Sequence, residues 1–155
     1  MFKRMLVLSL LLSILNLTSC TDSDSLPLGN GYRISYSYRG AQRSILNNKN
    51  SVFVGTHILN YSYDSTFIVA VQRPQDSIKE CTYESNETFS VCEEAFNKST
   101  FKQYWIINKK QESVFDEKTA RYSNVYGPYN KQTFTSKREE LGVPQSLLLK
   151  ENTLP

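Results

Sequence analysis

Three cysteines, one histidine and a few carboxylate pairs are the residues of this chain that could do chemistry. Cys20 closes a short apolar N-terminus, while Cys81 and Cys92 lie mid-chain with ten residues between them. That spacing is not a C-x-x-C redox motif. In an oxidising compartment the two are candidates for a disulfide, which would contribute roughly 3 kcal/mol in the chain-entropy account; two reduced thiols are the alternative. His57 is the single histidine. A zinc site or a Ser-His-Asp arrangement needs a full set of partners, which the sequence does not display around it, so it reads as a polar residue at a strand end. Glu93-Glu94 and Glu139-Glu140 are adjacent in sequence and therefore do not face one another on a helix or a strand. Gly29-Asn30-Gly31 lacks the strand–Gly–helix setting of a phosphate loop. No catalytic, cofactor-binding or metal-binding residue is assigned, and the expectation is a protein that is not an enzyme and carries no cofactor.

Cys20 has a different meaning, set by what precedes it. Lys3 and Arg4 form a positive start, and Met5 to Leu17 is apolar apart from Ser9, Ser13 and Asn16. At about 1.5 Å per helical residue this stretch reaches only about 20 Å, short of a hydrocarbon core of about 30 Å, so a cleaved signal peptide over residues 1–19 is expected. Leu17-Thr18-Ser19-Cys20 resembles the lipobox of bacterial lipoproteins. The resemblance implies that the Cys20 thiol receives a diacylglycerol, that cleavage falls just before it, and that the new amino group is acylated. Each buried acyl methylene contributes about 0.8 kcal/mol, so two or three chains hold the protein on the membrane. Residues 20–27, in which Thr21-Asp22-Ser23-Asp24-Ser25 follows the cysteine, read as a flexible acidic tether. Acidic residues shortly after the cysteine resemble the surface-export signal of Bacteroidetes lipoproteins. The expected location is the cell envelope, on the outer membrane, in either leaflet.

Cleavage changes the bookkeeping of the chain. Of 155 residues, 19 are removed and 136 remain, enough for one domain with a core. Lys3 and Arg4 leave with the signal peptide, so 16 basic side chains face 15 acidic ones. A mature charge near +1 leaves no basic stripe that would argue for nucleic acid.

A single domain over residues 28–155 is expected, and its elements follow from pattern. After the turn at Gly29-Asn30-Gly31, Tyr32, Ile34, Tyr36 and Tyr38 alternate with Arg33, Ser35 and Ser37, the mark of a half-buried strand. Residues 40–50 read as a polar loop with a short strand at 44–46, and Val52-Phe53-Val54 is a short apolar run. Residues 58–72 predict a hairpin turning at Asp64-Ser65; its second arm, Phe67-Ile68-Val69-Ala70-Val71, is apolar on both faces and so predicts a central strand that ends before Pro74. Residues 75–100 show no sustained period and read as an excursion pinned by Cys81 and Cys92. Gln103-Tyr104-Trp105-Ile106-Ile107 is a second two-faced run, with a turn at 108–112 and Ser113-Val114-Phe115 pairing back onto it. Asn130 is a suitable N-cap for a helix over 131–141 that buries Phe134 and Leu141, with Gly142 and Pro144 as its stop. Leu147-Leu148-Leu149 is either an edge strand or a strap. The expected class is α+β: a small, mainly antiparallel sheet with one C-terminal helix.

These pieces together resemble a family of small bacterial lipoproteins known as "domain of unknown function 3997". The likeness is carried by Leu28-Gly29-Asn30-Gly31-Tyr32, Phe67-Ile68-Val69-Ala70-Val71-Gln72, Tyr104-Trp105-Ile106-Ile107, Val125-Tyr126-Gly127-Pro128, and residues 134–142. It implies fold and location and brings no activity with it.

The surplus in composition is aromatic: ten Tyr, eight Phe and one Trp. Tyr32, Tyr36, Tyr38, Tyr61 and Tyr63 on early strands can form a binding face, since each offers flat area with a polar tip; ordinary cross-strand packing is the plainer account. The expected function is a membrane-anchored, non-catalytic binding module that docks an envelope protein or a glycan. An inhibitor or immunity-type protein, or an enzyme without a recognisable motif, is the alternative.

Overall fold

The computed structural model describes residues 25–36, 42–49, 51–81 and 89–149. Cys20, the signal peptide at 1–19 and Tyr38 lie outside the described residues. The first sheet is a meander of β1 (Ser25–Gly29), β2 (Tyr32–Tyr36), β3 (Arg43–Leu46) and β4 (Val52–Val54), each antiparallel to the next. The second joins β5 (Ile58–Tyr63), β6 (Phe67–Gln72), β7 (Gln103–Asn108) and β10 (Val125–Tyr129) in the order β10-β7-β6-β5. A small hairpin, β8 (Phe115–Asp116) and β9 (Arg121–Tyr122), pairs with neither sheet but stacks Tyr122 on Phe53 of β4. Among the described residues two α-helices complete the fold, α1 (Phe89–Lys98) and α2 (Lys131–Glu140).

Alternation of side chains across β6 explains the layering. Ile68 and Ala70 point to the first sheet, where Leu28, Ile34, Ile45 and Val54 meet them in one apolar cluster. Phe67 and Val69 point the other way and pack with Ile106, Phe134, Val143 and Leu147 beneath α2. Every residue of β6 is buried, as a strand apolar on both faces requires. The helix begins where the sequence puts its cap: Asn130 Oδ1 accepts from Thr133 N at 2.8 Å. At its other end Gly142 takes a positive φ, and Val143 N donates back to Arg138 O. Leu147 is buried against this cluster, so the final leucines form a strap rather than an edge strand.

Four expectations change. Residues 25–27, expected in the tether, form the start of β1: Leu26 lies opposite Ile34, and Leu28 is fully buried. The sheet accepts them because pairing needs main-chain groups, and Pro27 is tolerated on an edge strand. The α+β class holds, with two packed sheets where one was expected and a second helix, α1, inside the 75–100 excursion. Within α1, Cys92, Ala95 and Phe96 are its more buried residues, a stripe too short to declare itself as a period. Finally, residues 113–115 do not pair with β7. That strand is already flanked by β6 and β10, so Phe115 and Asp116 pair with Tyr122 and Arg121 instead.

The two sheets are also fastened by one buried amine. Lys109, just past β7, donates from Nζ to Leu28 O at 2.6 Å and to Asp64 O, tying β1 to the β5–β6 turn. Burial pushes its ammonium below the usual lysine range, opposed by the Asp64 carboxylate.

Candidate functional site

The tyrosine face comes apart once the strands are placed. Tyr32 belongs to the core: its ring meets Phe53 edge-on at 5.1 Å, and its hydroxyl accepts from Asn124 Nδ2 at 2.7 Å. Burial raises its pKa, with the Asn124 hydrogen bond opposing. It cannot serve as a binding surface. Tyr36 and Tyr61 reach across between the sheets, hydroxyl to hydroxyl at 3.4 Å, both packed on the core. The Tyr61 phenol is pushed up to about 12, first by burial and then by its bond to Tyr36. Tyr63 is exposed, with the Lys109 ammonium over its ring. Of the described early tyrosines, Tyr32, Tyr36 and Tyr61 serve cross-strand packing.

A cleft of about 470 Å³ opens elsewhere, where β4 hands the chain to β5. Gly55 and Thr56, in the link between the two sheets, line it, together with Gln72, the last residue of β6. Gln72 is held at both ends of its amide: Nε2 donates to Thr56 O at 2.8 Å, and Oε1 accepts from Trp105 Nε1 at 2.8 Å. Pro74, without an N–H for the ladder, follows the end of β6 and starts the opposite wall. Short 3₁₀ turns at Gln75–Ser77 and Lys79–Cys81 continue that wall, contributing Gln75, Asp76 and Cys81.

What fixes this wall is chemistry the sequence spread over forty residues. Cys81 and Cys92 are joined, with Sγ atoms 2.11 Å apart, so the second 3₁₀ turn is bonded to α1. Gln75 Nε2 donates to Cys92 Sγ at 3.1 Å. Phe96, on the buried face of α1, lies between two groups of the sheet: the His57 ring at 4.7 Å and the Arg73 guanidinium at 5.3 Å. Arg73 Nη1 also donates to Phe96 O at 3.0 Å, and Arg73 N to His57 O at 3.1 Å. The disulfide thus ties the excursion to itself, and the cation–π, ring and hydrogen-bond contacts of Phe96 with Arg73 and His57 dock it on the end of the sandwich.

His57 takes a backbone φ of +67°, turning the chain from one sheet to the other. Its Nδ1 lies 3.0 Å from Thr56 Oγ1. The imidazole is buried, and burial alone lowers its pKa. Protonation is therefore taken up by the unfolded chain first, near the ordinary 6.5, and the folded protein follows only at lower pH. Stability contributed by the neutral ring is complete above pH 6.5 and declines as pH falls through the folded pKa. Unfolding midpoints in urea, measured between pH 7.5 and 5.5, should fall with pH in the wild-type protein. In His57→Asn, whose side chain tolerates the left-handed backbone, that slope should flatten. Equal slopes would contradict this assignment.

The residues lining the cleft carry a hydroxyl, two carboxamides and one carboxylate, beside the Pro74 ring and the disulfide-bonded Cys81. Such a set holds uncharged polar groups by hydrogen bonds. Among the described residues no cluster of three or more His, Cys, Asp or Glu is placed to hold a metal ion, and no helix is long and apolar enough to cross a membrane. Sequence reasoning singled out Cys81 and Cys92 as a pair, and His57 alone. It missed Gln72, Gln75, Arg73 and Phe96, which carry no motif and are brought together only by the fold.

No curated protein and no solved structure matches the chain. The model of the family described as "Protein of unknown function (DUF3997)" does match it, over residues 30–153. The match spans both sheets from β2 onward, both helices and every residue of the cleft, and the chain belongs to that family.

Proposed function

We propose that this protein is a lipid-anchored lipoprotein of the bacterial cell envelope whose domain is a non-catalytic binding module, with the cleft beside the Cys81–Cys92 bond as its ligand site. The anchor is read from Leu17-Thr18-Ser19-Cys20. The observation that carries the binding reading is the pre-organisation of the cleft. Gln72 is fixed by Thr56 and Trp105, and the facing wall is fixed by the disulfide and by Arg73 on Phe96. A pocket whose walls are already set loses little conformational entropy when it binds. Its size falls in the range of about 300–1,000 Å³ common for small-ligand sites.

Envelope extract titrated into isotopically labelled protein tests this. Amide shifts should concentrate on Gly55, Thr56, Gln75 and Asp76, and Gln75→Ala should weaken the interaction about tenfold, the effect of one lost hydrogen bond at about 1.4 kcal/mol. Shifts centred on Tyr36, Tyr61 and Tyr63 would move the site to the tyrosines and defeat the proposal.

A further inference from the structure

The cleft and the point where the chain enters the domain lie at the same end of the sandwich. β1 begins at Ser25, which lies opposite Ser35, and Ser35 lies opposite Ser44, one residue from the Arg43 end of β3. β4 runs back toward that end: Val54 lies opposite Ile45, and Gly55 and Thr56 of the cleft follow directly. In the second sheet Gln72 lies opposite Ile58 and Gln103, at the end away from the turn at 64–66. That turn closes the other end of the molecule, where Asn30 Nδ2 donates to Ser65 O and Lys109 reaches Leu28 O.

The tether is shorter than the sequence implies, because β1 starts at Ser25. Only residues 21–24 separate it from Cys20. Five Cα steps at about 3.5 Å span about 17 Å at most. A lipid-bearing cysteine sits at the edge of the hydrocarbon, beneath a headgroup layer of about 5–8 Å. The start of β1 then lies within about 10 Å of the headgroup surface. The cleft is beside it, three strand positions across the first sheet, or about 14 Å.

We infer that the cleft opens toward the membrane and takes the uncharged, hydroxyl-bearing headgroup of a membrane lipid; this rests on the anchor proposed at Cys20. Beside its contact with His57 Nδ1, Thr56 Oγ1 keeps a lone pair for a sugar-type hydroxyl; Gln75 Oε1 accepts from another while Nε2 holds Cys92 Sγ, and the Asp76 carboxylate accepts from two at once. Asp76 is the charged residue among the described lining residues, and it repels a phosphate-only anionic headgroup. A neutral glycosyl headgroup meets both conditions.

The test uses the full lipidated protein in vesicles, after intact mass has established lipid on Cys20. A ketone-bearing residue is placed at Ser77, beside the cleft, or at Lys110, at the far end, and coupled to one fluorophore. Vesicles of phosphatidylcholine carry a headgroup nitroxide as quencher. The Ser77 label should be quenched several-fold more than the Lys110 label. A Gly/Ser insertion between Asp24 and Ser25 then frees the domain from its short leash. With the insertion, the difference should persist in vesicles containing galactosyl-diacylglycerol, vanish in vesicles containing phosphatidylglycerol instead, and vanish in Asp76→Ala. Equal quenching with the native tether overturns the orientation. Loss of the difference in the glycolipid vesicles, or persistence in both lipids, overturns the ligand. A chain without lipid on Cys20 overturns the anchor, and this inference with it.

Discussion

Cys20→Ser should leave the protein at precursor mass and reduce incorporation of labelled palmitate to background. Thioether formation with a diacylglycerol needs a nucleophilic sulfur, and a serine hydroxyl, with its far higher pKa, does not supply one. Cleavage before residue 20 follows lipid transfer in proteins with such a lipobox, so the precursor, with Lys3, Arg4 and its apolar stretch, should persist. The energetic effect is correspondingly large. Two or three acyl chains at about 0.8 kcal/mol per methylene give an attachment that no surface contact of a domain this size replaces. The folded domain should be unaffected, because β1 begins five residues beyond the substitution. An unchanged unfolding midpoint alongside lost lipid would separate anchor from fold. Normal processing of the variant would count directly against the assignment.

Gly127→Ala should be among the most destabilising single-methyl additions to the fold, at about 3 kcal/mol, from overpacking and left-handed strain acting together. Gly127 lies in β10 with a φ of +132°, where a side chain is strained. Its added Cβ would lie 2.7 Å from Tyr104 O and 2.9 Å from Trp105 Cε3. Neither neighbour yields easily. Tyr104 O belongs to the main chain of β7, and the Trp105 indole is tied through Nε1 to Gln72. Movement of Trp105 would therefore pass to the cleft, so the variant should also weaken ligand binding. Gly142→Ala provides the comparison, since it has a φ of +68° and no atom within 4 Å of its would-be Cβ. There only the backbone strain remains, about 1 kcal/mol. Urea denaturation of both variants measures the difference, and equal losses would mean that the contacts at Tyr104 and Trp105 contribute nothing.

How far the fold could be read from the sequence depended on whether a single local pattern carried the information. β6 was legible because five apolar residues in a row, Phe67 to Val71, lie between a turn at Asp64-Ser65 and Pro74, which marks a short strand covered on both faces. α2 was legible because Asn130, Phe134, Leu141 and Gly142 mark cap, buried face and stop within one stretch. β1 was not, since Pro27 and the acidic residues before it look like linker and only its pairing with β2 makes it a strand. α1 was hidden because, among its described side chains, the more buried face is Cys92, Ala95 and Phe96, and the first of these is held by a bond. Alternation placed Tyr32, Tyr36 and Ile34 on one face, but not on which side of the sheet the interior lay. For Tyr32 the answer is the interior, which removes it from any binding surface.

The candidate site was the least legible part. Its lining comes from the β4–β5 link, the end of β6 and the 3₁₀ turns, and the segments meet only because β4 and β6 finish at one end of the sandwich. Cys81 and Cys92 were visible as a pair, yet nothing in their spacing tells that their bond forms a wall against Gln72. The groups that dock the excursion, Arg73 and Phe96, are a charge and an aromatic in polar surroundings, indistinguishable in sequence from many others.

Intact mass of the protein purified from its native envelope tests the central claim most directly. The account predicts a chain beginning at Cys20, heavier than the bare polypeptide by a diacylglyceryl group and an N-terminal acyl chain, and lighter by two hydrogens for the Cys81–Cys92 bond. A chain that begins elsewhere, or one that begins at Cys20 with a free thiol, would contradict it.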